Sequence, residues 1–212
     1  MNKGHKPGSG LPTWVGSAIE EATRQLEAEN AVKLLVSFVG ENPKRAGLVE
    51  TPARFVKALQ EMTSGYTIDP RQYLKTFEEE GPQQYNEMVV QRDIPFVSLC
   101  EHHLLQFSGV AHVAYLPAGK IIGLSKMVRI VHAFARRLQV QERLTTQVTD
   151  LLMDSILLPN GAACVIEASH SCIACRGVNT PGSVTVTASL RGAFKTDPAT
   201  RAEFYRMIGR QA

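Results

Sequence analysis

Apolar positions follow two regimes along the chain, helical spacing up to about residue 65 and short β-rich runs around two further helices after about residue 88. In the first regime Ala18, Ile19, Ala22 and Leu26 recur at three- and four-residue steps, behind a Ser17/Glu20 pair that resembles a capping box. The pattern resumes through Val32, Leu35, Val36 and Val39 before Pro43, predicting one or two N-terminal helices. Thr51 as an N-cap, with Pro52 at the first helical position, predicts another helix with Phe55, Leu59 and Met62 on one face and a stop at Gly65. An acidic linker is expected around Glu78, Glu79 and Glu80.

In the second regime, segments 88–99 and 109–117 have strand character, with Ala118-Gly119 as a turn after the second. Met127, Ile130, Val131, Phe134 and Leu138 then share one helical face, and Leu144, Val148, Leu151 and Leu152 another. Strand character returns at 162–169 and 183–192. The order ββααββ without βαβ alternation predicts an α+β fold, an antiparallel sheet with helices on one face. The expected organisation is a tail over residues 1–13, a helical N-terminal extension over 14–84 and an α+β domain over 85–212 that folds as one unit with the extension.

Composition narrows the function classes. With 212 residues, 44% hydrophobic and 20% charged, the chain reads as a globular domain rather than a disordered one. No apolar run nears the roughly 18 residues of a membrane span, and the first thirteen residues lack the core of a signal peptide, so a cytoplasmic location is expected. The net charge of +3 is too small to argue for nucleic acid, but residues 120–143 carry six Lys or Arg against one Glu, which points to a local anionic ligand. Four cysteines in such a chain argue for metal or catalysis rather than a disulfide framework.

Two clusters carry metal-ligand chemistry, Cys100-Glu101-His102-His103 and His170-Ser171-Cys172, each at a predicted strand end. Cys100, His103, Cys172 and Cys175 would make a closed structural Cys₃His site, compatible with a non-catalytic nucleotide-binding protein. Cys100, His103 and Cys172 alone would leave a fourth position to water, as in catalytic zinc sites. His102 and His170, each beside a ligand and able to move protons near neutral pH, favour the second arrangement. A thioredoxin-like role for Cys172 and Cys175 lacks the surrounding βαβ unit.

Ser125 as an N-cap with Lys126 and Arg129 outlines a phosphate site at a helix start, although a solvated basic face has the same composition and the Gly-rich phosphate loop of nucleotide triphosphatases is absent. Arg176 brings another guanidinium next to the Cys172 cluster. Glu142 at the next helix start would ordinarily be a favourable dipole partner. A carboxylate there can also accept two parallel hydrogen bonds from the N–H edge of guanine, with Gln141 addressing its carbonyl edge.

At these residues the chain resembles GTP cyclohydrolase I. The resemblance runs from the Glu-Asn-Pro-Lys-Arg-Ala-Gly-Leu stretch at residue 41 and Thr51-Pro-Ala-Arg54, through Ser98-Leu-Cys-Glu-His-His103, Gly123-Leu-Ser-Lys126 and Gln139-Val-Gln-Glu-Arg-Leu-Thr145, to His170-Ser-Cys172 and Arg176-Gly-Val178, about four-fifths of the chain. It implies a tunnelling fold, a four-stranded antiparallel sheet backed by two helices, assembled as a homodecamer with active sites between subunits. It also implies zinc on Cys100, His103 and Cys172, and conversion of GTP to dihydroneopterin triphosphate and formate by attack of an activated water on C8. Carried over by position, His102 and His170 transfer protons, Gln141 and Glu142 contact guanine, and Ser125, Lys126, Arg129 and Arg176 contact the triphosphate, as does Arg54. The chain departs from the family at Gln106, where proline is common, and at the additional thiol of Cys175.

Overall fold

The computed structural model describes residues 18–78, 85–154 and 156–210. The expected tail, Ser17 of the capping pair, and Glu79 and Glu80 of the acidic stretch lie outside the described residues. The N-terminal periodicity forms one helix, α1 (Ala18–Phe38), which buries no residue and packs on α2 (Thr51–Met62). Thr51 is the first residue of α2 rather than its cap, a position held by Glu50, and Pro52 sits in the first turn. The chain then enters a short strand, β1 (Thr76–Glu78), where linker was expected, because it pairs with a distant strand that local patterning does not reveal.

The main sheet contains β2 (Val89–Cys100), β3 (Gln106–Leu116), β6 (Gly161–His170) and β7 (Thr185–Gly192), antiparallel in the order β2-β3-β6-β7. Between β3 and β6 lie β4 (Lys120–Ile122), the partner of β1, then α3 (Leu124–Ala135), the two-residue β5 (Leu138–Gln139) and α4 (Gln141–Leu152). β5 adds a fifth, parallel strand beside the end of β2, pairing Leu99 with Leu138 and Cys100 with Gln139. Gly123 caps α3, so Ser125 lies in its first turn instead of at the N-cap.

Side chains alternate across a strand, and each face of this sheet has its own cover. Phe107, Ala111, Val113 and Tyr115 of β3 join Met127, Ile130 and Val131 of α3 and Leu144 and Val148 of α4 in one core. Ala114, Ala163 and Val165 instead meet Phe194, Phe204 and Ile208 in a second cluster. Phe194 lies in α6 (Ala193–Thr196) and Phe204 in α7 (Pro198–Met207), C-terminal helices that were not anticipated and that cover the face opposite α3 and α4. α4 is held to β7 by hydroxyls as well as apolar contacts: Thr145 pairs with Thr187 at 2.6 Å and Thr149 with Ser189 at 2.7 Å. Each such bond adds about 1 kcal/mol net, but an unpaired buried hydroxyl would cost about 1–3 kcal/mol, so the seam selects one register of helix on sheet.

His112 sets the shape of β2 from the next strand. It is 3% exposed, and its Nδ1 accepts the backbone N–H of Asp93 at 3.2 Å, where β2 bulges and Asp93 takes φ 57°. The remaining proton of the neutral ring therefore sits on Nε2, 3.8 Å from the carboxylate of Glu167, which Arg210 pairs. Burial holds the imidazole below its usual range, while Asp93 and Glu167 oppose and Arg210 and Arg92 reinforce that shift. Protonating Nδ1 would also destroy the bond to Asp93. A depressed histidine adds stability that is complete above the unfolded value of about 6.5 and lost as pH falls through the folded value. We expect the unfolding free energy to decline from pH 7 to pH 5, and His112→Asn to flatten that slope; an unaltered slope in the variant would assign the acid sensitivity elsewhere.

Candidate functional site

The candidate metal centre forms where β2 and β6 end on either side of β3. The β2–β3 hairpin closes through the turn 101–105, in which the Cys100 N–H donates to Leu105 O at 2.8 Å, the Leu104 N–H donates to Cys100 O, and Leu104 adopts φ 56°. On the other side, His170 ends β6 and the single-turn α5 (Ser171–Ala174) starts at once, carrying Cys172 back across the end of β3. Cys100, His103 and Cys172 each thereby offer a ligand atom within 4.8 Å of the others. Cys100 is buried, Cys172 half-buried and His103 exposed.

The donor set fits zinc. Two thiolates and an imidazole are usual zinc ligands, and bond lengths of about 2.0–2.3 Å put tetrahedral ligand atoms about 3.5 Å apart. Cys100 Sγ lies 3.9 Å from His103 Nδ1, so only small movements would close the group on an ion. Cys172 is pushed above the ordinary thiol range by burial first, and then by the neighbouring Cys100. Cys175 is not part of the group: it is exposed, and its Sγ donates to Ser171 O at 2.8 Å. Among the described residues that leaves three candidate ligands together, the arrangement with an open fourth position.

The two flanking histidines differ. His102 is exposed, its Nδ1 3.8 Å from Cys100 Sγ. His170 is fixed: its ring stacks on Phe107 at 4.6 Å and an interplanar angle of 3°, and its Nε2 lies 2.7 Å from Gln141 Oε1. Gln141 Nε2 faces Ile166 O, Thr185 O and Thr187 Oγ1 at 2.9–3.1 Å, three acceptors that settle the amide orientation. Oε1 can therefore only accept, His170 Nε2 carries the proton, and Nδ1 holds the lone pair. Burial lowers the His170 pKa, and the nearby Glu142 carboxylate partly offsets it.

Gln141 is 2% exposed with its carboxamide wholly engaged inside the protein, whereas Glu142, next along α4, is exposed beside His170. Arg176 follows α5 at the same end, close enough for its charge to act on Cys172. The other cationic residues lie elsewhere. Tyr115 is eight residues from Phe107 along β3, about 27 Å at strand rise, and its hydroxyl accepts the Ile122 N–H at 2.9 Å. Ser125, Lys126 and Arg129 follow in the first turns of α3, at the opposite end of the sheet from Cys172. α3 runs alongside β2 with its C-terminal end nearest Cys100, since His132 Nε2 donates to Pro95 O at 2.9 Å and Ser98 Oγ to Arg137 O at 3.4 Å. Arg54 lies exposed on α2, paired with Glu50 at the N-cap of that helix, an arrangement worth little to stability. A groove of about 670 Å³ between α2, β2 and α3, bordered by Met62, Phe96, His132 and Arg136, includes none of the three metal-group residues.

Sequence reasoning did not single out Phe107, the stacking partner of His170, or the Glu101–Arg143 ion pair under the metal-ligand turn. Arg143 draws the Glu101 carboxyl below the usual carboxylate range through its hydrogen bond. The two are 42 residues apart, so no local pattern signals them.

The family profile of GTP cyclohydrolase I matches residues 28–209. A GTP cyclohydrolase 1 from Rhodopirellula baltica is 51% identical over 185 residues, covering 87% of this chain and 79% of the relative. Those from Mycolicibacterium vanbaalenii and Pelotomaculum thermopropionicum are 51% and 50% identical, covering 88% and 89% of this chain and 92% and 98% of their own. With the profile spanning most of the chain and half the residues identical, the chain belongs to the GTP cyclohydrolase I family.

Proposed function

We propose that the protein opens the purine ring of GTP at C8, releases formate and rearranges the ribose to give 7,8-dihydroneopterin triphosphate, with Cys100, His103 and Cys172 holding Zn²⁺. The observation that carries this reading is the three-ligand group with Cys175 turned away, beside His170 and Glu142, in a chain of this family. Zinc supplies Lewis acidity at such a site, bringing the pKa of a water toward neutrality.

The chain's own residues account for the rest. Glu142 accepts paired hydrogen bonds from guanine and so orients the base. Gln141 belongs to the same helix turn, and its side chain serves the base indirectly by holding His170. His170, when it also carries a proton on Nδ1, delivers that proton to N7 and is left as the neutral ring, since its Nε2–H is committed to Gln141. His102, exposed beside Cys100, moves protons during water attack and formate release. Ser125, Lys126, Arg129, Arg176 and Arg54 bind the triphosphate.

One subunit does not bring these groups together, because α3 opens at the far end of the sheet from Cys172. We therefore assign Ser125, Lys126 and Arg129 to a site completed by a neighbouring copy, in a homo-oligomer read as a decamer. Among the described residues no helix is long and apolar enough to cross a membrane. The four cysteines are free, and we read the setting as reducing and cytoplasmic. Neither a nucleic acid nor a membrane enters the scheme.

Incubation with GTP should yield formate and a fluorescent pterin. Glu142→Ala should lose discrimination against adenine nucleotides by a factor approaching about 10⁴, the range for a site built on such pairing. Unchanged kcat/KM for GTP in that variant would remove Glu142 from the base site.

For the metal, Cys172→Ser should lose bound zinc and turnover, while Cys175→Ser keeps nearly one zinc per chain and most of its activity. Equal metal loss in both serine variants would mean a closed four-ligand site.

Shared sites allow a mixing test. Lys126→Ala and Cys172→Ser should each be nearly inactive alone, yet regain turnover when unfolded and refolded together, because some sites then combine two intact halves. Mixtures as inactive as their components would place all the groups within one copy.

A further inference from the structure

We propose that Arg143 is a positioning residue that fixes the metal-ligand turn at a set distance from the first turn of α4, holding the zinc ligands in register with Glu142. This rests on the function proposed above. Arg143 Nε donates to Gln139 Oε1 at 2.9 Å, and its Nη2 donates to the Glu101 carboxylate and to Leu138 O at 3.1 Å. Gln139 is 1% exposed, and its amide nitrogen donates to Phe134 O and Gln147 Oε1, which leaves its carbonyl oxygen aimed at Arg143. The Glu101 N–H in turn donates to Gln139 O at 3.0 Å. These bonds close a ring through Glu101, Gln139 and Arg143 that joins the hairpin bearing Cys100 and His103 to the residues around Gln141 and Glu142.

The turn has little else to anchor it. Residues 101–104 are exposed, Leu104 is 52% exposed, and beyond the strand ladder the turn is tied by backbone bonds and this ring. An ion pair as open to solvent as Glu101–Arg143 contributes little to folding, so its use lies in geometry. The ring also needs a planar fork, because three acceptors around one guanidinium cannot all be met by a lysine ammonium in the same place. Its position matters because reacting atoms must meet within about 3–3.5 Å, and a displacement of about 1 Å can cost about 10²-fold in rate.

The test uses the full-length protein with Arg143→Ala, Arg143→Lys, Glu101→Gln and the Arg143→Ala/Glu101→Gln double variant. Four readings are taken: steady-state kinetics with GTP, zinc per chain, thermal midpoint and the visible spectrum after Co²⁺ substitution. Arg143→Ala should keep its zinc, lose a few degrees of thermal midpoint because Gln139 Oε1 loses its donor, hold KM within about threefold, lose about 10–100-fold in kcat, and shift the Co²⁺ bands as His103 reorients. Arg143→Lys should recover only a minor part of the loss, and the double variant should be no worse than the poorer single. Unchanged kcat, losses that multiply in the double variant, recovery on adding excess zinc, or an unaltered Co²⁺ spectrum would each overturn the proposal. Should Arg143→Ala fail to fold, Glu101→Gln carries the same kinetic and spectral comparison. A wild type inert toward GTP would refute the proposed function instead, and the Co²⁺ spectra would still decide whether Arg143 positions the turn.

Discussion

The site depends on a spacing problem solved at one end of the sheet. β2 and β6 lie on either side of β3, and two strand spacings separate them by about 9.6 Å. Thiols placed directly on those strands would be too far apart to share an ion. Cys100 can stay at the end of β2 because the chain after His170 turns into α5 and crosses the end of β3, bringing the Cys172 sulfur within 4.8 Å of the candidate ligand atoms of Cys100 and His103. Register makes this turn effective. Leu99 faces Gln106 and Phe107 faces His170 across the ladders, and a slip of one residue would reverse which face each side chain occupies.

α4 extends that register to the groups around the candidate metal site. Its first turn presents Gln141 inward and Glu142 outward, and its hydroxyl contacts with β7 prevent it from sliding along the sheet. Gln141 belongs to the same polar seam, since its amide faces Thr185 O and Thr187 Oγ1 while its oxygen receives His170. The contacts that dock the helix are thus continuous with the contact that orients the imidazole.

Much of this was legible in sequence, for identifiable reasons. The strands and the helices α3 and α4 emerged because each buries one periodic face, and Cys100, His103 and Cys172 stood out because their chemistry is uncommon and their spacing short. What stayed hidden depended on distant partners. β1 exists through β4, Arg143 takes its meaning from Glu101, and Gln141 is buried because β6 and β7 converge on it. The expectation that Ser125 caps α3 failed by two residues because Gly123 already takes the extended conformation needed there. No sequence pattern revealed that Lys126 and Cys172 occupy opposite ends of the sheet, since that follows from the length of β3 and the direction of α3.

The packing of His170 limits how it can exchange protons. With Phe107 against one ring face and Gln141 clasping Nε2, the imidazole cannot rotate about its Cβ–Cγ bond without breaking both contacts. Relays in which a histidine takes a proton on one nitrogen, swings, and releases it from the other are closed to it. A proton that enters at Nδ1 must leave by Nδ1, so the ring is a pocket with one doorway.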